Sequence, residues 1–277
     1  MRILLTNDDG IRAPGIRAMY RELVHLADEV LVVAPLTVQS ATSHSITYET
    51  PLMTEEVPVF TDKETGESVL GIAVDGRPAD CTKLAVKQLW GERFGKGSGP
   101  DLVVSGLNAG ANIGINTLYS GTVAAALEAA CLGIPAIAVS LMIGESARTR
   151  FDQAAKHACR AIELLLRDGP PRAHTMLNIN IPVTEAETDF PGMAVGPVNL
   201  FAHRDDYEAR QSPTGQPYYW AVGDGMVFHD TAGGSDVEII QSGRISVTPM
   251  NYDLTDHAAL ASYETRVENA QAGSRPC

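Results

Sequence analysis

The chain has 277 residues, 44% of them hydrophobic and 20% charged, proportions ordinary for a globular protein able to bury a substantial core. A formal net charge of −13 and a pI near 4.9 exclude a surface that coats duplex nucleic acid, which needs clustered Lys and Arg. An anionic substrate would need a local attractor, and a metal ion held in a pocket supplies one without altering the global charge.

Short apolar runs alternate with helical patterns through the first two thirds of the chain, which predicts βαβ units and a largely parallel sheet. Ile3–Thr6 reads as a first strand, Ile16–Leu26 as a helix opened by Pro14-Gly15, and Glu29–Ala34 as a second strand stopped by Pro35. Polar stretches such as Thr61–Ser68 separate short extended runs between Ser45 and Val74, a pattern of hairpins inserted at a sheet edge. A helix is predicted over Ala79–Leu89 and a strand over Leu102–Ser105, followed by a Gly/Asn-rich loop. Thr122–Leu132 reads as a helix, Ala136–Leu141 as a strand, Phe151–Leu166 as a helix and Met176–Ile181 as a strand. Residues 1–182 thus form the expected catalytic core, with the edge insertion near 45–74. Residues 183–277, with turns at Asp189–Gly192 and Pro213–Pro217 and aromatics at Tyr218, Tyr219 and Trp220, form an expected β-rich extension that packs back on the core and reaches a partner subunit.

Cys81, Cys131, Cys159 and Cys277 form no C-x-x-C pair and no zinc-type spacing with histidine, so reduced thiols are expected. The run Ile3-Leu4-Leu5 is too short for a signal-peptide core and no stretch approaches a membrane span, so the expected compartment is the cytoplasm.

Ligands of open α/β sheets bind beyond the carboxyl ends of the parallel strands, where three segments fall. Thr6-Asn7-Asp8-Asp9-Gly10 brings two carboxylates to one place only if the chain turns there, which Gly10 permits. Pro35–Thr47 is rich in hydroxyls, and Gly106–Gly114 carries Asn108 and Asn112. Two carboxylates, a hydroxyl and an amide carbonyl suit Mg²⁺ or Mn²⁺, although a solvated turn explains Asp8-Asp9-Gly10 equally simply. Tyr119-Ser120-Gly121-Thr122 opens an alanine-rich helix, whose start can bind an anion or merely be capped by its hydroxyls. Gly106, Gly110 and Gly114 are spaced by four and lack the following acidic residue of a dinucleotide site. His44 and His203 are the histidines nearest these segments, each a weak acid-base candidate.

Taken in order, these segments resemble the SurE survival-protein family. The resemblance is carried by Ile3–Ile11, Ala13–Ile16, Val33-Ala34-Pro35, Gln39-Ser40, Ser45-Ile46-Thr47, Gly76, Pro78–Cys81 and Pro100–Gly106. It continues through Asn108, Gly110-Ala111-Asn112, Gly114, Tyr119–Val123, Pro135–Leu141, Leu177–Pro182, Pro217–Trp220 and Ser246–Pro249. It implies a three-layer, Rossmann-like α/β fold with a C-terminal extension that helps form a homodimer or homotetramer. It implies hydrolysis of nucleoside 5′- and 3′-monophosphates, with short polyphosphate as a further substrate. One Mg²⁺ or Mn²⁺ per subunit would be held at positions that fall on Asp8, Asp9, Ser40 and Asn108. Asp8, Asp9 and Asn108 then form the catalytic set, and Asn112, Ser120, Gly121 and Thr122 the phosphate-binding set. Either Asp8 or Asp9 accepts a proton from an attacking water, or one of them is the nucleophile of an aspartyl-phosphate route. The chain departs from the family in having Ala41 and Ser43 where glycines are usual after Gln-Ser, and Ile115-Asn116-Thr117 in place of a commonly acidic stretch.

Overall fold

A computed structural model describes residues 1–61, 66–144, 148–202, 204, 206–222 and 227–273. The chain begins with β1 (Arg2–Thr6), α1 (Pro14–Leu23) and β2 (Glu29–Pro35), then an antiparallel pair, β3 (Thr54–Thr61) and β4 (Ser68–Val74). A helical run follows as α2 (Pro78–Leu84), a π-turn (Ala85–Leu89) and α3 (Trp90–Phe94). Next come β5 (Leu102–Ala109), a 3₁₀ turn (Gly114–Leu118), α4 (Gly121–Cys131), β6 (Ala136–Leu141), α5 (Phe151–Leu165) and β7 (Met176–Ile181). The remainder is β8 (Met193–Val195), β9 (Asp206–Gln211), β10 (Pro217–Val222), α6 (Asp236–Gln241), β11 (Ile245–Met250) and α7 (Leu260–Gly273).

The central sheet runs β3-β4-β2-β1-β5-β6-β7-β11-β8. Its strands from β4 to β7 are mutually parallel, while β3 and β11 are antiparallel to their neighbours β4 and β7. Alternation along β1 explains the layering: Ile3 and Leu5 enter a core with Ile16 and Met19 of α1 and Ala155 and Ile162 of α5. Leu4 points the other way, among Cys81 of α2, Trp90 of α3 and Val123 and Ala126 of α4. Helices therefore cover both faces, the three-layer, Rossmann-like arrangement.

Several boundaries differ from the sequence reading, among them the end of α1 at Leu23 rather than Leu26, and three of the differences have local physical reasons. The run expected to stop at Leu89 continues to Phe94, because Trp90 is a fully buried anchor stacked 4.7 Å from the Phe94 ring. The strand expected to end at Ser105 extends to Ala109, because Asn108 and Ala109 find partners in Ser140 and Leu141 after a register shift. The helix expected from Thr122 starts at Gly121, capped by Ser120, whose Oγ accepts the Val123 N–H at 3.1 Å. Beyond Pro182, β11 and β8 complete the central sheet, whereas β9 and β10 form a separate two-stranded ribbon.

Strand order reverses at β1, with β2 on one side and β5 on the other, so loops leaving β1 and β5 diverge and leave a crevice.

Candidate active site

The loops after β1 and β2 are joined by backbone hydrogen bonds: Gln39 N–H donates to Asp8 C=O at 2.8 Å and Ile11 N–H to Pro35 C=O at 2.9 Å. Ser40 is thereby carried to the Asp8-Asp9 turn. The same loop is fastened at its far end by Asp80, whose carboxylate accepts from Thr47 N–H at 2.9 Å and Thr47 Oγ1 at 2.7 Å. Ser43 ties its middle to the segment before α4, through N–H to Tyr119 C=O at 3.1 Å and Oγ to Leu118 C=O at 2.7 Å. Ala41 and Ser43, the two departures from glycine, both sit at φ +56°, in the left-handed region that costs a side chain about 1–2 kcal/mol.

A cavity of about 240 Å³ opens at this junction, lined by Asp8, Asp9, Ser40, Asn108, Asn112 and Ser120, with Asn116 and Tyr119 at one wall. All four expected metal ligands and two of the four expected phosphate residues meet there. Among the described residues, no Lys, Arg or His lines it. A larger depression of about 610 Å³ between Arg172–Thr175 and Asn251–Thr255 includes none of the expected site residues.

The other two phosphate candidates, Gly121 and Thr122, are not among the lining residues and meet Asp8 instead. Thr122 is fully buried and its hydroxyl donates to Asp8 Oδ1. Its backbone N–H supports the same carboxylate, so the anion seated at the start of α4 is Asp8. Gly121 is required by this approach, since a Cβ there would lie 2.8 Å from Asp8 Cβ and 2.9 Å from Asp8 Oδ2. Ser120, although its oxygen caps the helix, keeps its hydroxyl proton for the cavity.

Burial is the main cause that pushes the Asp8 carboxyl up to about 6; the Thr122 hydroxyl opposes it and the charge of Asp9 adds to it. Asp9 is also raised by burial, against the Ala109 N–H that donates to Oδ2 at 2.9 Å. Asn108 donates from Nδ2 to Gly110 C=O at 2.8 Å, which orients the amide and leaves Oδ1 as its acceptor oxygen. Among the described residues no cluster of three His, Cys, Asp or Glu occurs. The donor set is instead two carboxylates with a hydroxyl and an amide oxygen, which fits a hard divalent cation and would relieve the mutual repulsion of Asp8 and Asp9.

His44 is absent from the cavity lining and pairs with Glu128, Nε2 to Oε2 at 2.9 Å. His203 lies outside the described residues. Residues that local sequence patterns did not reveal include Ala109, Asn178 and Asn180. Asn180 Oδ1 accepts the Asn112 N–H at 2.7 Å, and the Asn112 C=O accepts from Asn178 Nδ2 at 2.8 Å and Asn180 Nδ2 at 3.1 Å. Their signal was two asparagines at alternate positions of a buried strand, where polar side chains need partners.

Fold and cavity define a Rossmann-like α/β protein with an acidic, oxygen-donor site at its topological switch point. Residues 3–200 match the family model described as Survival protein SurE. The chain belongs to the SurE family. It is 40% identical over 269 residues to "5′-nucleotidase SurE" of Carboxydothermus hydrogenoformans, covering 97% of each chain. It is 41% identical over 263 residues to the protein of that name from Natranaerobius thermophilus, covering 93% of this chain and 95% of the relative. A crystal structure of the SurE protein from Aquifex aeolicus is similar with a TM-score of 0.77 and 34% identity, over 96% of this chain and 99% of that one.

Proposed function

We propose that this protein is a metal-dependent phosphomonoesterase that converts nucleoside 5′-monophosphates, and also 3′-monophosphates, to nucleoside and phosphate. The observation that carries this reading is the cavity's charge: two carboxylates and, among the described residues, no base in its lining. A phosphate would be repelled there unless a cation intervened. The relatives named 5′-nucleotidase support the substrate class. Short polyphosphate, which presents the same terminal phosphoryl group, is a further substrate.

Asp8, Asp9, Ser40 and Asn108 would hold one Mg²⁺ or Mn²⁺ per subunit. When bound, that cation supplies Lewis-acid polarisation of a phosphoryl oxygen and offsets the two carboxylate charges. The Ala109 N–H fixes Asp9 through Oδ2 and leaves Oδ1 to accept a proton from the attacking water. Asn112 and Ser120 hold phosphoryl oxygens at the opposite wall, while Gly121 and Thr122 act on the substrate only through Asp8. The cavity is smaller than the roughly 300–1,000 Å³ of typical small-molecule sites, so the nucleoside extends past Asn116 and Tyr119.

Tyr207, Tyr219 and Trp220 stand exposed on the β9–β10 ribbon, which supports a homodimer or homotetramer. No helix of the described residues is long and apolar enough to cross a membrane. We place the protein in the cytoplasm, where its thiols remain reduced.

Phosphate release from a panel of 5′- and 3′-nucleotides, with and without Mg²⁺ or Mn²⁺, tests the reading. Metal-dependent turnover is expected. Saturable nucleotide binding without release would assign the pocket to a sensor instead.

A further inference from the structure

The wall of the cavity that carries Asn112, Asn116 and Ser120 is held to the sheet at Asn112 by Asn178 and Asn180 of β7. The chain has left β5 at Ala109, and after Asn112 it enters the 3₁₀ turn Gly114–Leu118. The Gly114 N–H, at the entry of that turn, donates to Asp236 Oδ2 at 2.8 Å across 122 residues of sequence. The other oxygen of the same carboxylate accepts from Asn199 N–H at 2.9 Å and Val237 N–H at 2.8 Å. The Asp236 N–H donates to Pro197 C=O at 2.9 Å. Asp236 is fully buried, and each of these three donors to its carboxylate is a backbone N–H.

Burying a carboxylate is costly, so its chemistry at this position has to be specific. Two anionic oxygens serve three N–H groups that converge from the cavity loop, the segment at Asn199 and the start of α6. An amide has one acceptor oxygen and would turn its own N–H toward one of these donors. Apolar packing reinforces the link, because Ile113 lies in a small cluster with Phe228, Val237 and Ile240. Gly114 has no space for a side chain: at φ +54°, a Cβ would stand 2.6 Å from the Phe228 ring. The turn beyond is braced internally, with Thr117 Oγ1 donating to Gly114 C=O at 3.0 Å and Tyr119 N–H to Asn116 C=O at 3.0 Å. What holds Gly114 therefore helps to hold Asn116 and Tyr119, the latter also tied to Ser43 at the end of the turn.

We propose that Asp236 is a positioning residue for the substrate side of the site, through which the C-terminal part of the chain fixes the wall formed by residues 112–120. This rests on the nucleotidase reading above. The hydrogen bonds of Asp236 described above go to Gly114, Asn199, Val237 and Pro197, and none of these is a proposed metal ligand or phosphate-binding residue. Loss of Asp236 loosens the substrate wall at residues 114–116, while Asp8, Asp9 and Asn108 stay on other segments and Ser40 stays anchored beside Asp8 through the Gln39 N–H, although Ser43 of its loop also meets the wall at Leu118 and Tyr119.

The test is steady-state phosphate release from a nucleoside 5′-monophosphate by wild type, Asp236→Asn and Asp236→Ala, titrated separately in substrate and in Mn²⁺. A rise of about tenfold in KM is expected for either variant that melts cooperatively, with the Mn²⁺ concentration for half-activation within twofold of wild type. An unchanged KM in a folded variant overturns the proposal, and so does a parallel shift of KM and Mn²⁺ requirement, which marks general loosening. Should neither variant fold, hydrogen exchange of wild type decides. A Gly114 amide protected like those of β11 supports the clamp, and rapid exchange there overturns it. Wild type without any turnover would sink the nucleotidase reading instead, and the exchange result would still judge the clamp.

Discussion

The Thr122 hydroxyl donates a hydrogen bond to Asp8 Oδ1, joining the first turn of α4 to the carboxylate at the end of β1. A helix start that the sequence offered as a phosphate cradle is thus occupied by a carboxylate of the protein itself. Thr122→Val should strip Asp8 of a charge-stabilising donor, a loss on the order of 1.5–3 kcal/mol. Mn²⁺ affinity should fall accordingly, and Thr122→Ser should keep most of it. Calorimetric Mn²⁺ titration checks this; a variant with native Mn²⁺ affinity but raised KM would return Thr122 to direct phosphate binding.

Gly121→Ala sets a methyl group 2.8 Å from Asp8 Cβ and 3.0 Å from Pro78 Cγ. The Asp8 side chain must move or the helix start must shift, at a cost of about 1–3 kcal/mol. Activity should drop far more than the melting temperature suggests, because the displaced group is a proposed metal ligand. Parallel melting and turnover curves would expose the opposite case, stability lost with kcat intact.

The metal-stripped protein should lose stability as pH rises from about 4 to about 6. Asp8 is raised in the native state from 3.8 to about 6, so the native state binds its proton more tightly than the unfolded chain does. Stability from this group is complete below the unfolded value and is lost as pH climbs through the folded one, about 3 kcal/mol in all. Asp8→Asn should flatten that slope. Urea melts of both proteins in EDTA across this range measure it, and equal slopes would remove Asp8 as the cause.

Ala41 and Ser43 hold the left-handed conformation that glycine adopts without strain. Replacing either by glycine removes strain from the folded state but adds freedom to the unfolded one, so the net gain should stay near or below 1 kcal/mol. The loop carrying Ser40 should also become more mobile. Thermal melts together with the Mn²⁺ requirement test this, and a variant less stable than wild type would contradict it.

Legibility followed the range of the forces involved. Ala136–Leu141 is apolar but for Ser140 and buries both faces, and Met176–Ile181 alternates apolar residues with two buried asparagines; such strands declare themselves in composition. The ends of β1, β2 and β5 are legible, so the strand-end rule brings the segments Thr6–Gly10, Pro35–Thr47 and Gly106–Gly114 together, and the family resemblance singles out Asp8, Asp9, Ser40 and Asn108 within them. Local pattern could not show that Asn108 lies on a strand, because its partner is Ser140 of a neighbouring strand. Nor could it separate Thr122 as a phosphate donor from Thr122 as a donor to Asp8, since that distinction depends on a contact 114 residues away. The link from Asp236 to Gly114 is of the same long-range kind, and so is the return of β11 to the sheet beside β7.

On the proposed mechanism, Asp8 and Asp9 act on phosphate esters only together with a divalent cation. Phosphate release from a nucleoside 5′-monophosphate should vanish after exhaustive EDTA treatment and return with Mg²⁺ or Mn²⁺, while Asp9→Asn should stay inactive under both conditions. Full turnover by the chelated wild-type protein, or by Asp9→Asn, would contradict it.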